Sequence, residues 1–179
     1  MPSIEVRPAI STDVQWLIAM DHSYTTEYVW QMEEEVDNSQ VTVTFREVRL
    51  PRSVRVGYPR RTAKLEDDWQ QRSALLVAVL EGMVVGYASL MEGVAPESVW
   101  VTDLAVVSAQ RRRGVGTALL LASQKWAEQM KKKRLVLEMQ SKNHPAIRLA
   151  QKLGYEFCGF SDHYYPNQDI ALFFSRLLR

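Results

Sequence analysis

Six consecutive residues, Arg111-Arg112-Arg113-Gly114-Val115-Gly116, stand between an apolar run and a helical stripe, and their types suit the binding of phosphate. Two glycines let the backbone bend and approach a ligand closely. The helix that follows leaves its first amides without internal partners, pointing outward at the positive end of the dipole. Such a turn can hold a diphosphate, with arginine charge added. A plain strand-to-helix turn with solvated arginines explains the same residues, and the glycine pair alone does not choose between the two. A dinucleotide-binding turn is excluded. It needs Gly-x-Gly-x-x-Gly at the first turn of a parallel repeat, whereas Leu119 stands at the third glycine position and the turn falls late in the chain.

The elements around the turn must position it. A strand over 99–107 enters it, and a helix leaves it with Leu119, Ala122, Trp126 and Met130 on one stripe at helical spacing. Apolar runs over 75–80 and 84–90, separated by Glu81-Gly82-Met83, read as a hairpin. A strand over 135–139 precedes a short helix over 144–153 that Gly154 closes, and 155–160 with 170–177 form a last strand pair. At the start, 4–10 alternates as a strand, its proline pointing to an edge or an end. Ser11 or Thr12 then caps a helix through Trp16, Leu17 and Met20. Residues 21–72 are irregular, with short strands expected at 41–45, 48–50 and 54–56, and Tyr58-Pro59-Arg60-Arg61 breaking the pattern. The order implies an α+β, mixed-sheet domain covering 1–179.

Composition narrows the class. A chain of 179 residues fits one core, and a net charge of +1 favours neither a nucleic-acid binder nor a membrane-surface protein. Cys158 is the one cysteine, read as a small apolar filler, so no disulfide or cysteine-based zinc site forms within the chain. His22, His144 and His163 show no metal spacing. Residues 1–14 lack a signal-peptide layout, and no apolar run reaches the ~20 residues of a membrane span. A cytoplasmic location is the default. Lys131-Lys132-Lys133-Arg134 ends the long helix, where cations complement the dipole. Trp16, Trp100 and Trp126 are expected in or near the core. Tyr24, Tyr28, Trp30 and Trp69 flank the irregular region, with packing the favoured role.

Arg-x-x-Gly-x-Gly after an apolar strand resembles the signature of the GNAT superfamily of acyl-CoA N-acyltransferases. Asp103-Leu104-Ala105-Val106 resembles that family's fourth strand, Leu137-Glu138-Met139-Gln140-Ser141-Lys142-Asn143 its fifth, and 146–155 the helix that follows. The resemblance covers about 75–179. It implies a mixed central sheet, flanked by helices and splayed between the fourth and fifth core strands, with the pantetheine arm of acetyl-CoA inserted there. By that resemblance, the backbone of Leu104, Ala105 and Val106 pairs with the arm, and the turn of Arg111, Arg112, Arg113, Gly114, Val115, Gly116 and Thr117 holds the diphosphate. An amide near the fourth-strand bulge faces the oxyanion of the tetrahedral intermediate. Asn143 matches a cofactor-contacting residue; it also reads as a helix cap before His144-Pro145.

Amine acetylation poses two proton problems. An alkylammonium near ~10.4 must lose a proton before it attacks, and a thiolate leaving group near ~8.5 benefits from gaining one. Glu138 matches a glutamate assigned as base in ribosomal-protein alanine N-acetyltransferases. An exposed carboxylate near ~4.3 is a weak base, so this role needs burial or a relay; a structural pairing with Lys142 competes. Asp103 is the rival carboxylate. Ala150 departs from the family, because that position commonly carries the tyrosine taken as general acid. Asp162-His163-Tyr164-Tyr165-Pro166 resembles a Tyr-Tyr-Pro near the acceptor site of the ribosomal-protein enzymes, with Tyr164 the favoured hydroxyl. Tyr155 packs behind Gly154.

The segment over 28–56 with the core is similar to streptothricin acetyltransferases. An acetyl-CoA-dependent N-acetyltransferase acting on a small cationic amine is therefore expected, with Glu27 and 33–35 as candidate attractors. A protein N-terminal or lysine acetyltransferase, or a noncatalytic acyl-CoA binding module, is the alternative. A homodimer is compatible with the sequence; no nucleic acid, membrane or metal partner is expected.

Overall fold

Leu80 pairs with Met83 across Glu81 and Gly82, both at positive φ, so the central hairpin closes on two residues of the conformation its turn requires. A computed structural model describes residues 3–179; Met1 and Pro2, which the expected domain over 1–179 includes, lie outside the described residues. In chain order the elements are β1 (Glu5–Pro8), α1 (Ser11–Ala19), β2 (Tyr24–Asp37), β3 (Gln40–Val56), α2 (Lys64–Asp68), β4 (Ala74–Leu80), β5 (Met83–Glu92), β6 (Ser98–Val106), α3 (Val115–Gln129), β7 (Arg134–Gln140), α4 (His144–Lys152), β8 (Glu156–Ser161) and β9 (Ala171–Leu177). Seven strands form one mixed sheet in the order β1-β4-β5-β6-β7-β9-β8, and β2 with β3 forms a separate ribbon. This is the α+β arrangement with a mixed central sheet expected from the sequence.

Two apolar layers flank the sheet. Leu119, Leu120 and Ala127 of α3 and Ile147 and Ala150 of α4 pack on Leu76, Leu90, Val99, Val101, Leu135, Leu137 and Phe174. Val14 and Leu17 of α1 and Leu65 of α2 cover the other face at Leu75, Val77, Tyr87 and Ala105. No helix among the described residues is long and apolar enough to cross a membrane.

The strands β6 and β7 run parallel, but their pairing stops early. Ser98 to Arg134 through Val101 to Leu137 are partners, and beyond that point the strands separate. A bulge lies there too, since Ser89 pairs with Asp103 while Leu90 pairs with Val101, leaving Thr102 extra. The extra residue reverses the alternation: Val99 and Val101 face α3 and α4, whereas Asp103 turns to the opposite face. That is the expected splay, and it opens one edge on each strand.

Several expectations need correction. Residues 41–56 are one strand rather than three, paired with β2 as a ribbon protruding from the sheet. Much of the ribbon is solvated, so its Thr, Glu and Arg residues gave no apolar alternation to read, and Leu50-Pro51-Arg52-Ser53 bow out opposite Glu27. The helix α1 begins at Ser11, so neither Ser11 nor Thr12 caps it; the Asp13 carboxylate instead accepts from the Ile10 amide at 2.9 Å and from Arg7. Trp16 lies exposed, its indole donating to the Val84 carbonyl at 2.7 Å, because α1 buries the stripe through Val14 and Leu17 instead. Met130 ends its stripe exposed at the cap of α3. Cys158 is exposed rather than a filler; it is the unpaired residue of a bulge in the edge strand β8. The short helix α2 had no forecast.

Tyr155 is buried, its hydroxyl accepting from Gln124 at 2.7 Å, and Gly154 takes φ of 78° after α4. Lys132 and Lys133 pair with Glu92 and Glu97, both at 2.7 Å, so half of the basic run is neutralised locally.

Candidate functional site

Where β6 and β7 part, two carboxylates face each other from the same side of the sheet. Asp103 comes from β6 just after the bulge, and Glu138 from β7 just after its last pair with β6. Both are buried. A buried carboxylate without a partner is costly, and the partners come from far along the chain. Arg60, in the loop after β3, bonds Glu138 Oε1 with one nitrogen; its other terminal nitrogen reaches the Thr102 carbonyl at 2.7 Å and Asp103 Oδ1 at 3.4 Å. Arg72 adds Asp103 Oδ2 at 2.9 Å and Ser89 Oγ at 2.6 Å, and the Tyr58 hydroxyl donates to Asp103. The Arg60 guanidinium also lies 5.1 Å from the centre of the Tyr165 ring.

Burial first, and the charge of Glu138 second, push Asp103 up to about 7; with the carboxyl almost sealed from water, burial outweighs the neighbouring guanidiniums. Burial works against the charge on Arg60, but Glu138 holds that group above its usual value. Tyr164 donates to Glu138 Oε2 at 3.0 Å, and burial followed by Glu138 raises its pKa. The expected pair, Glu138 and Tyr164, is thus brought into contact. Lys142 instead pairs with Asp169 at 2.7 Å. Tyr165 is buried beside them, and Ala150 is fully buried between α4 and the sheet, offering no hydroxyl.

A cavity of about 270 Å³ opens beside Asp103, with Arg60, Tyr58, Tyr87 and Leu65 also among its walls and the exposed Arg61 and Lys64 lining it. His22 sits behind it, Nε2 lying 3.0 Å from the Tyr87 hydroxyl and Nδ1 2.8 Å from the Met20 carbonyl; burial lowers its pKa.

On the far side of the splay, the turn before α3 exposes backbone donors. Gly114 takes φ of 88° and Arg112 65°, and none of the amides over 112–117 makes a well-formed hydrogen bond to another described residue. A Cβ on Gly116 would come within 3.0 Å of Leu149, so the second glycine also lets α3 lie against α4. Arg111 turns inward: Nε donates to the Val106 carbonyl at 2.8 Å and Nη2 to Ser23 at 2.7 Å. Arg112 and Arg113 remain exposed. Leu104, Ala105 and Val106 pair with β5 along one edge, leaving their other edge to the splay. The side-chain oxygen of Asn143 caps α4 through the Ala146 amide at 3.2 Å, and its side-chain nitrogen donates to no described residue.

The sequence reading missed Arg60, Arg72 and Tyr58. Their only signal was indirect: two carboxylates inside otherwise apolar strands demand cations from somewhere. Glu27 and 33–35, considered as attractors of a cationic acceptor, lie exposed on the ribbon, with Glu33 paired to Arg46.

Comparison with known proteins identifies the family and the fold. The family model described as "Acetyltransferase (GNAT) family" matches residues 23–155. An N-alpha-acetyltransferase of Sulfurisphaera tokodaii is 32% identical over 119 residues, 57% of this chain and 68% of that protein. A streptothricin acetyltransferase of Streptomyces lavendulae is 26% identical over 167 residues, 90% of this chain and 86% of that protein. The crystal structure of a Bacillus anthracis acetyltransferase in complex with acetyl coenzyme A superposes with a TM-score of 0.75 at 19% identity, covering 98% of this chain and 100% of that one, which is a likeness of fold.

Proposed function

The chain belongs to the GNAT acetyltransferase family and is an N-acetyltransferase, and from that premise we propose that it carries an acetyl group from acetyl-CoA to a primary amine of a small cationic molecule. The observation that carries this reading is the pair of buried carboxylates, Asp103 and Glu138, placed where the splay of β6 and β7 begins.

The residues present fit acetyl-CoA. Free amides over 112–117 suit a diphosphate, and the open edge of 104–106 suits the amide-bearing arm. Arg111 serves the turn by fixing it to β6 and the start of β2, while Arg112 and Arg113 supply charge. Asn143 keeps a side-chain N–H free on the same side as α4's first turn. When bound, acetyl-CoA supplies the activated acyl carbon.

The protein's part is positioning and proton handling. Glu138 takes the ammonium proton through Oε2, directly or by one water, which leaves a neutral amine able to attack. Tyr164, already bonded to that oxygen, is the hydroxyl nearest this proton path and the donor we assign to the departing thiolate; it regains its proton from Glu138, and the nitrogen's second proton then leaves through the same oxygen to water. The span 1–179 acts as one domain in this reading, with the ribbon of β2 and β3 tied to the core by the Trp30 amide, which donates to the Ser141 carbonyl at 2.9 Å.

Protein N-termini are the second acceptor class, favoured by the 32% identity to the Sulfurisphaera N-alpha-acetyltransferase. Thiol release measured against small polyamines, amino-sugar conjugates and peptides with free N-termini separates the two. Release with the small cations and none with peptides is expected. Glu138→Gln should lower kcat by about 10²-fold or more while leaving acetyl-CoA affinity within twofold; an unchanged kcat would remove Glu138 from the mechanism.

A further inference from the structure

Arg60 comes from the loop after β3, outside the stretch over about 75–179 that carries the sequence resemblance, yet its guanidinium lies at the vertex of the splay. One end holds the Thr102 carbonyl, at the bulge of β6, and approaches Asp103 of the same strand; the other holds Glu138 of β7. The first unpaired residues of the two strands are therefore joined through one planar side chain. Its face lies toward the buried Tyr165 ring, and rotation away would leave Glu138 without a cation while Asp103 keeps Arg72.

The division of Glu138 matters more than the strength of the pair. Oε1 belongs to Arg60, and Oε2 accepts from the hydroxyl of the exposed Tyr164. A carboxylate free to rotate would present either oxygen; this one is held with Oε2 on the side of Tyr164. A fork with two parallel donors does this, whereas the point charge of a lysine reaches one carboxylate at a time.

We propose that Arg60 is a positioning residue for acetyl transfer: it ties Asp103 to Glu138 across the vertex and leaves Oε2 of Glu138 as the one oxygen that meets the acceptor amine. The inference rests on the assignment of Glu138 given above. Arg60 itself makes no contact with the reacting atoms in this scheme.

The test uses the full chain, any amine that gives thiol release with the wild type, and three variants: Arg60→Ala, Arg60→Lys and Glu138→Gln. Misplacing a reacting group by about 1 Å costs about 10²-fold, so Arg60→Ala should lose about that much kcat while binding acetyl-CoA within twofold of wild type. Arg60→Lys should recover only a small part. Methylguanidinium, added at concentrations that do not unfold the protein, should restore about tenfold of the lost kcat in Arg60→Ala. It should restore nothing in Glu138→Gln.

Wild-type kcat in folded Arg60→Ala, with Glu138→Gln impaired, overturns the role of Arg60 alone. Wild-type kcat in Glu138→Gln removes the assignment on which the inference rests. Loss of acetyl-CoA binding in Arg60→Ala, with no rescue by methylguanidinium, makes Arg60 a fold residue and also overturns it. Arg60→Gln, which keeps volume and two polar atoms, repeats the comparison if Arg60→Ala does not fold.

Discussion

The two ends of the splay are built from different materials. The end proposed for acyl-CoA is backbone: amides over 112–117, the open edge of 104–106, and glycines that permit the shape. The end proposed for the acceptor is side chains, with Arg60, Asp103, Glu138 and Tyr164 arriving from four separate segments. Backbone donors tolerate changes of side chain so long as the turn keeps its form, whereas a converging cluster fails or changes specificity when one member changes. The first end can therefore be shared by enzymes of differing acceptors, and the second must carry the choice of acceptor.

The sharpest way to break the backbone end is Gly114→Glu. Gly114 sits at φ of 88°, where a side chain costs about 1–2 kcal/mol, and a carboxylate there neutralises the positive helix terminus and repels a diphosphate. Together these should weaken acetyl-CoA by about 10²-fold or more, read by titration calorimetry. Gly114→Ala, with the strain and no charge, should fall between. Unchanged affinity in both would mean that the diphosphate lies elsewhere.

At the acceptor end, pH discriminates. Asp103 is ionised above about 7, where it balances Arg60 and Arg72; as pH falls through that value it takes a proton and the vertex gains net positive charge. For an acceptor bound as ammonium, kcat/KM should then fall about tenfold per pH unit below about 7. Acetyl-CoA affinity should not follow that limb. Asp103→Asn should remove the limb, and its persistence would assign it to another group.

The same division explains what could be read beforehand. The turn and the helix closed by Gly154 follow from residues close in sequence, so spacing carries them, whereas the splay came from the resemblance, because β6 and β7 meet only across α3. Glu138 and Tyr164 were found through resemblance, and the contact between them could not be, because a loop between β8 and β9 brings the tyrosine back to β7. Arg60 lay in a stretch that read only as broken pattern. The ribbon failed differently: its polar, β-branched and proline residues look like three fragments when only a pairing partner makes them one strand. Cys158 and Trp16 were misplaced because apolar type was taken for burial, and a bulge and a helix's outer face decided otherwise.

Removing only the Tyr164 hydroxyl sharpens the comparison at smaller scale. A hydrogen bond to a charged group is worth about 1.5 kcal/mol or more, so Tyr164→Phe should lower kcat by about tenfold or more. Acetyl-CoA affinity should stay fixed, since the bond is to Glu138 and not to the turn. A kcat within error of wild type would leave the thiolate to depart without this hydroxyl.

The smallest effect tests whether the acceptor end selects for charge. Arg61 and Lys64 line the cavity and stand exposed, and neither makes an ion pair with a described residue. A cationic acceptor entering by the cavity must pass them to reach Asp103, so these two cations oppose entry that the carboxylate rewards. Exposed charges of this kind contribute about 0.2–1 kcal/mol each, and salt screens them. Arg61→Glu with Lys64→Glu should lower KM for a polyamine by about twofold to fivefold at low salt, with kcat unchanged. The gain should shrink as salt rises. A higher KM in the double variant would show instead that this pair holds an anionic group on the acceptor, and the amine would then have to belong to a zwitterion.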